Sequence, residues 1–535
     1  MRKRQQRKKP WLWMAAGAML VALVIGGYTL YTRYVALPEK AEITSIAVLP
    51  FEDMSPEKDQ EWFCEGISDA ILTALTHVGE LQVPGRTSSF SFKGKDTSFA
   101  EIGRQLNVEA VLEGSIMKSG NRLRITAQLI NVSDGYHLWA EEYDREMEDV
   151  FDIRDEISLT IVNELKVKLL GEEKVAIEKR PTENIEAFAL YLQGRHFWNL
   201  RSGPQINEML RKGLDYFQQA VEKDPDYALA YTGIADSYHK LGFGHHLPRE
   251  EAYREAEKAA KKALELDNTL AEVHVSLGTI SLMQDKNFTT AEREYKRAVE
   301  LNPNSALAHY WYGGYLITMG KYNDALDKYK RARMLDPLDW KSHRDIIRSY
   351  RHMGIYDEAI KECYKAIELF PKYRGTANFY HQLINIYYEQ GKYLEMLPVV
   401  QLARENLGNS TWGEMWLGSI YALSGERSKA EQILQKGEDL WLKAWIYSEL
   451  GEKEKVEEIL NELIEQSKKE DISPWAMAYI YEYWDELDKA MDWLEKFYEE
   501  DTDMLLNNIR LFELYNKDIR SHPRYKALLK KMGLE

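Results

Sequence analysis

The pattern of hydrophobic and polar residues predicts a mixed α/β domain over residues 43–172. In "NRLRITAQLINV" apolar residues alternate with polar ones, the period of a half-buried strand, at Leu123, Ile125, Ala127 and Leu129. In "IRDEISLTIVNELKVKLL" aliphatic residues share one helix face, at Ile153, Ile157, Ile161, Leu165 and Leu169. The apolar run "SIAVLPF" adds a buried strand, and the turn sequences "KSGN" and "DG" add two hairpins. These elements together predict a compact α/β domain.

A different pattern follows, over residues 187–510, where a spacing of 34 residues recurs. Prolines lie at Pro303, Pro337 and Pro371, and glycines lie between the two halves of a unit at Gly320 and Gly354. Alanines lie five and twelve residues before each proline, and tyrosines eight before the first two, at Ala291, Tyr295, Ala298, Ala325, Tyr329, Ala332, Ala359 and Ala366. Small residues let two helices approach closely, while glycine opens the turn and proline ends the second helix. Each unit is thus predicted to be a helical hairpin that must stack on its neighbours, giving an all-α superhelical solenoid.

A solenoid also needs a capped end. The sequence predicts a short linker at 173–186 before the repeats and a C-terminal capping helix within 511–535, which contains "SHPRYKALLKKMGLE".

Both patterns resemble known families. The Ala/Gly/Tyr/Pro pattern of the 34-residue units resembles the tetratricopeptide repeat. The stretches "IAVLPFEDMSPEKDQEWFCEGISDAILTAL" and "LRITAQLINVSDGYHLWAEEYDRE" look like the TolB amino-terminal-type domain of bacteria. That resemblance implies a periplasmic sensory or scaffolding unit, in a family often joined to a CadC-like winged helix, a nucleotide cyclase or a kinase. It supplies no catalytic residue to carry over.

One uncharged apolar segment lies near the N-terminus. "WLWMAAGAMLVALVIGGYTLY", residues 11–31, lies between the basic residues 1–10 and a linker at 32–42. About 20 apolar residues cross a bilayer as a helix, and preceding basic residues keep that end in the cytoplasm. The segment predicts a single-pass inner-membrane protein with its bulk in the periplasm. A cleaved signal peptide is the alternative, but it would have a shorter apolar core. About ten residues before the anchor leave no room for a cytoplasmic output domain.

Composition and charge exclude several classes of function. The net charge is −16 although the N-terminal tail is basic, so the body of the chain does not favour nucleic acid. Cys64 and Cys363 cannot form a disulfide framework, and the sequence has no Cys/His cluster with zinc spacing. Gly94-Lys95 is followed by Asp96, whereas a phosphate-binding loop requires Ser or Thr. The sequence therefore predicts no enzyme, no cofactor and no metal.

One row of cations is the candidate binding site. Spacings of three, four, three and one residues place a row of basic side chains on one face of the first helix of a hairpin, at Lys341, Arg344, Arg348, Arg351 and His352. In the repeat family this face points into the solenoid groove, and its neighbours there would be Tyr310, His381, Asn385 and Tyr388. Such a row could bind the carboxylates of an acidic peptide through forked hydrogen bonds. The alternative is that these cations neutralise acids within the solenoid.

These observations predict a membrane-anchored, non-enzymatic scaffold that binds a protein or acidic peptide in the groove of its solenoid, outside the cytoplasm. A homodimer or larger assembly is compatible with this prediction. The alternative is a sensory subunit whose outer domains detect a ligand and signal through the anchor to a separate cytoplasmic protein. Ala18 and Ala22, four residues apart in the apolar segment, are typical of helices that pair in a membrane.

Overall fold

The computed structural model describes residues 43–534, apart from 201–204, 372–374, 409–410, 468–473, 484–485, 501 and 516, together with residues 19 and 25–27. The predicted basic tail, linker and anchor lie outside the described residues except at 19 and 25–27. Within the described residues, no helix combines the length and the apolar character needed to span a bilayer. This finding corrects the prediction of a single-pass inner-membrane protein with a periplasmic bulk.

The first domain is a twisted sheet with helices. Its elements are β1 (Ile46–Val48), β2 (Glu52–Asp53), α1 (Glu61–Thr76), α2 (Arg86–Ser89), α3 (Phe99–Leu106), β3 (Ala110–Ser119), β4 (Arg122–Asn131), β5 (His137–Glu146) and α4 (Val150–Glu164). The strand order is β1-β3-β4-β5, with β2 also paired to β3. Strands β1 and β2 run parallel to β3, whereas β3, β4 and β5 form antiparallel hairpins.

Alternation along β4 accounts for this domain's core. Leu123, Ile125 and Ala127 are fully buried, and they pack against aliphatic residues of α1 and α4. The predicted small α/β domain is therefore confirmed. The helix predicted over 153–170 is instead α4, and the chain turns at Lys166, whose φ is +57°.

After a short helix α5 (Gly171–Ile177), the chain forms successive helical hairpins. They are α6–α7 (Ile185–Asn199, Ile206–Lys223), α8–α9 (Ala228–Phe243, Arg249–Leu266), α10–α11 (Ala271–Met283, Phe288–Leu301), α12–α13 (Ala306–Thr318, Tyr322–Leu335), α14–α15 (Trp340–His352, Tyr356–Leu369), α16–α17 (Thr376–Glu389, Tyr393–Leu407), α18–α19 (Thr411–Leu423, Arg427–Lys436), α20–α21 (Leu440–Glu449, Lys453–Ser467) and α22–α23 (Pro474–Tyr483, Leu487–Glu500). Two helices follow, α24 (Thr502–Tyr515) and α25 (Pro523–Lys531).

The repeated small residues lie where the hairpins close. A Cβ on Gly313 of α12 would lie 2.8 Å from the Tyr329 ring of α13, so glycine is needed for this approach. Gly320 and Gly354 both have a φ of +72°, which only glycine adopts readily, and each ends a first helix. The repeated alanines are at most 1% exposed. The predicted helical solenoid is therefore confirmed.

The α/β domain lies along the turns that connect successive repeats. Asn304, in the turn before α12, donates from Nδ2 to the carbonyls of Thr76 and Val78 at 3.3 and 3.2 Å. Asp336, in the turn before α14, accepts a hydrogen bond from the Ser88 amide at 2.8 Å. Earlier in the solenoid, Lys179 of the linker pairs with a carboxylate in the turn before α10. The α/β domain and its linker therefore bridge successive repeats of the solenoid.

The C-terminal helices return to the middle of the solenoid. Arg510 of α24 donates from Nε to the Thr318 carbonyl at 3.3 Å, at the C-terminal end of α12. Glu513 accepts hydrogen bonds from the hydroxyls of Tyr322 and Tyr525, at 3.0 and 3.1 Å. Buried residues of the C-terminal helices, Leu505, Ile509, Phe512, Tyr525 and Leu529, share one hydrophobic cluster with α12 and α14. The predicted capping segment thus contains helix α25, which packs against central repeats as well as the last one.

Candidate protein-binding groove and interdomain cleft

The structure places the predicted row of cations at very different depths. Lys341, at the start of α14, is exposed, and Arg344 and Arg348 are half-buried. Arg351 and His352, at the end of the same helix, are 2% and 6% exposed. The spacing of the row therefore predicts a shared helix face, but only its N-terminal half faces solvent.

Asp345 is the centre of the half-buried part of the row. Arg344 binds its carboxylate with Nε and Nη2, both at 2.8 Å, and Arg348 Nη1 lies 3.4 Å away. The Tyr310 hydroxyl donates to the same carboxylate at 2.9 Å. Burial alone would raise the pKa of Asp345, but the Arg344 and Arg348 charges and these hydrogen bonds lower it. Asp345 therefore stays ionised and fixes three of the predicted groove residues.

The end of the row belongs to the packed interior. The Arg351 side chain is fully buried, and it donates from Nε to Glu389 at 2.6 Å and from Nη1 to Gln382 at 2.9 Å. The His352 ring stacks on Tyr322 with centroids 4.5 Å apart. Burial and the surrounding arginines lower the pKa of His352 well below its usual value, so it is neutral. Internal ion pairing, the alternative left open by the sequence, is what the structure shows at Arg351.

The other predicted groove residues lie beside an aromatic stripe formed by Trp412, Trp416 and Trp445, on the first helices of later hairpins. His381 accepts a hydrogen bond from Trp412 Nε1 at 3.2 Å. The rings of His381 and Tyr388 each lie 6.3 Å from Trp416, which lies 5.8 Å from Trp445. Burial and two arginine charges lower the pKa of His381 to about 3.

Asn385 is 2% exposed and lies between His381 and Tyr388 on the same helix. The tryptophans of the stripe were not among the predicted groove residues. The binding role of all nine predicted groove residues stays a prediction.

A second candidate site, also missed from the sequence, is a cleft of about 180 Å³ between the α/β domain and the first repeats. Its walls are one face of α1, helix α6, the start of α10 and the linker after α5. Glu65 and Asp69 bring two carboxylates to this face of α1, one helical turn apart. Polar residues on an otherwise apolar helix face were the signal that sequence analysis could have used.

The cleft contains a network of ionised groups. Arg86 Nη2 lies 2.9 Å from Glu65, which also contacts the His196 ring at 3.4 Å. Burial raises the pKa of Glu65, but hydrogen bonds from His196 and Lys93 and the Arg86 charge outweigh it and lower the pKa to about 2. Glu65 therefore stays charged at the boundary between the two domains.

The fold is that of a helical-repeat protein with an N-terminal α/β domain, because successive helical hairpins follow a small sheet. The model of the tetratricopeptide repeat matches residues 280–332 and 315–374. The chain thus contains tetratricopeptide repeats over residues 280–374, as the sequence predicted. The second-domain model of HilA/YgeH-like transcriptional regulators matches residues 41–164. These matches do not show the TolB amino-terminal-type domain that the sequence resembles.

Curated relatives share parts of the chain. A putative adenylate cyclase of Rhizobium meliloti is 40% identical over 201 residues, covering 37% of this chain and 33% of the relative. The transcriptional regulator HilA of Salmonella typhimurium is 25% identical over 264 residues, covering 49% of this chain and 46% of the relative. The chain therefore spans between a third and a half of the length of these relatives.

Among solved structures, similar chains include PilW, described as a type IV pilus biogenesis factor, with a TM-score of 0.35 and 15% identity. That match covers 42% of this chain and 94% of PilW. PilF of Pseudomonas aeruginosa matches with a TM-score of 0.31 and 20% identity, covering 38% of this chain and 89% of PilF. With scores this low, neither structure supports an argument about fold or function.

Proposed function

We propose that this protein is a non-enzymatic scaffold that binds an acidic segment of a partner protein on the first helices of its central repeats. The observation that carries the proposal is the network around Asp345. It holds Arg344 and Tyr310 in fixed positions on the first helices α14 and α12, and Lys341 of α14 is exposed. Stacked helical repeats form extended concave binding surfaces, which supports a protein or peptide as the ligand.

The network leaves donors for a ligand. Arg344 uses Nε and Nη2 for Asp345 and Tyr310, so Nη1 lies outside these hydrogen bonds. Its guanidinium also lies 5.0 Å from the centroid of the Trp340 ring, which restricts its motion. A side chain held in place loses little entropy on binding, so a partner carboxylate would meet a preorganised site.

The C-terminal helices limit where the partner can lie. Helix α24 contacts the C-terminal ends of α12 and α14, where Thr318 and His352 lie. Tyr310, Lys341 and Arg344 belong to the N-terminal halves of the same two helices. The proposed contact surface is therefore the N-terminal half of α12 and α14.

The test compares two charge reversals on exposed lysines. Lys341→Glu changes the proposed surface, and Lys258→Glu, on the second helix α9, is the matched control because its side chain is 80% exposed. Binding of a fluorescent Asp/Glu-rich peptide is measured by anisotropy at low and high salt. We expect Lys341→Glu to weaken binding about threefold to tenfold and the control to leave it unchanged. Equal weakening by both variants would show only a general charge effect and would refute the proposal.

A further inference from the structure

The cleft between the α/β domain and the first repeat has the size of a small metabolite. Its volume of about 180 Å³ is well below the roughly 300–1,000 Å³ of pockets for drug-sized ligands. Residues of successive turns of α1, from Trp62 to Ala74, form one wall together with His77 just after the helix. Helix α6 forms the opposite wall with Leu192 and Arg195. Because the two walls belong to different domains, a ligand here would contact both.

The wall of the cleft carries equal numbers of basic and acidic side chains. The permanent cations are Arg86, Arg154, Lys179 and Arg195, and the carboxylates are Glu65, Asp69, Asp267 and Glu272. A buried charge is costly unless an opposite charge compensates it. A ligand with a net charge would upset this balance. The cleft therefore suits a molecule that is neutral overall but carries charges of both signs.

Several of these groups already have close partners. Arg86 Nη2 lies 2.9 Å from Glu65, and Lys179 pairs with Asp267. Arg154 pairs with Asp155 and donates to the Ile177 carbonyl at 3.2 Å. These contacts give Arg86, Arg154 and Lys179 partners within the protein.

Asp69 and Arg195 are held differently. Arg195 Nη2 lies 3.7 Å from Asp69, and Arg86 Nη1 lies 3.8 Å from the same carboxylate. Both distances exceed those of a hydrogen bond. A carboxylate on α1 and a guanidinium on α6 thus face each other across the cleft, close enough to attract but not to bond directly.

We infer that this cleft binds a free α-amino acid with an apolar side chain. The Arg195 guanidinium offers paired donors to the ligand's carboxylate, and Asp69 accepts from its ammonium group. Ala70, Ala74, Phe188 and Leu192 line the cleft and would contact the side chain. Because Asp69 lies on α1 and Arg195 on α6, the bound amino acid would join the α/β domain to the first repeat. This inference does not depend on the proposed peptide groove.

The experiment uses the full chain and isothermal titration calorimetry. The probes are L-leucine, L-methionine and L-valine, each tested to about 1 mM, together with 4-methylpentanoate and 3-methylbutylamine, which each keep one of leucine's two charges. We expect at least one amino acid to bind and both single-charge analogues to bind at least about tenfold more weakly. Failure of all three amino acids to bind, or equal binding of either analogue, would overturn the inference.

Variants locate the site. Arg195→Ala and Asp69→Asn should each weaken the amino acid's binding at least about tenfold, since each removes a charge-assisted hydrogen bond. Arg254→Ala is the control, because that side chain is 65% exposed on α9. Ala70→Leu keeps every charge but fills the cleft, so it should also abolish binding, and circular dichroism checks that each variant is folded. Unchanged affinity in these folded cleft variants would place binding elsewhere and overturn the inference.

Discussion

Replacing Arg351 with Met is expected to destabilise the central repeats strongly. The Arg351 side chain is fully buried, and that of Glu389, its partner on the next first helix, is 7% exposed. The substitution leaves the Glu389 carboxylate buried without this cation. If Arg351 instead bound a partner's carboxylate, the same change would weaken binding with little loss of stability. The variant therefore separates an internal ion pair from a ligand-binding residue.

The size of the effect follows from the burial. Breaking a buried ion pair by removing one member costs about 3–5 kcal/mol, whereas replacing both members by apolar residues is often nearly neutral. We therefore expect Arg351→Met to lower the free energy of local unfolding of α14 and α16 by about 3–5 kcal/mol. The double variant with Glu389→Leu should recover at least about half of that loss. Lys341→Met, on the exposed part of α14, should change it by less than about 0.5 kcal/mol.

Hydrogen exchange followed by mass spectrometry measures these effects locally, which suits a solenoid whose repeats open separately. Peptides from α14 and α16 should exchange about 100- to 3,000-fold faster in Arg351→Met than in the wild type. Peptides from β4 should be unchanged. An acceleration below about fivefold, or no recovery in the double variant, would refute the reasoning.

Three further outcomes are expected. Gly313→Ala places a Cβ within 2.8 Å of the Tyr329 ring, so it should lower the free energy of unfolding, measured by thermal denaturation, by about 1–3 kcal/mol. Gly314→Ala, whose nearest Tyr329 atom is 3.8 Å away, should raise that free energy by about 0.5–1 kcal/mol. Equal effects would contradict the packing argument. Glu513→Ala removes the acceptor of Tyr322 and Tyr525 and should speed limited proteolysis of α24 and α25; unchanged cleavage would show that this carboxylate does not hold them. Despite burial, hydrogen bonds to Glu65 lower its pKa from 4.5 to about 2, so its stabilisation is complete above pH 4.5 and is lost toward pH 2. Glu65→Gln should flatten that acid-induced loss in fluorescence-monitored unfolding, and an unaltered pH profile would contradict this assignment.

The repeats could be predicted because their signals are local. Tyr329 packs against Gly313 within one hairpin, and the glycine and proline mark the turns beside it. The alternation in β4 is likewise a property of neighbouring residues. Such patterns fix which side chains face inward. The hairpins and the small sheet therefore followed from the sequence.

The depth of each cation in the row could not be predicted. Spacing places Arg344 and Arg351 on one face of α14, but it does not show what the next helix places opposite them. Arg351 pairs with Glu389 of α16 in the packed interior. Arg344 pairs instead with Asp345, on the same helix as the row, near the surface. Burial was decided by the neighbours rather than by the row itself.

Contacts between the two domains were equally hidden. The Asp336–Ser88 and Asn304–Val78 pairs join residues more than 200 positions apart. By sequence, Asp336 and Asn304 look like ordinary turn residues. The cleft depends on the same docking, because its two walls come from different domains. No periodicity in either segment indicates which polar turn residue will meet the other domain.

The contacts of the α/β domain with successive repeats have a mechanical consequence. A stack of helical hairpins can stretch or twist like a spring, since each repeat touches mainly its neighbours. Contacts at Asn304 and Asp336 tie the turns before two consecutive repeats to the α/β domain, so the spacing of these repeats cannot change unless that domain detaches. The repeats from α10 to α14 should then move together with the α/β domain as one unit.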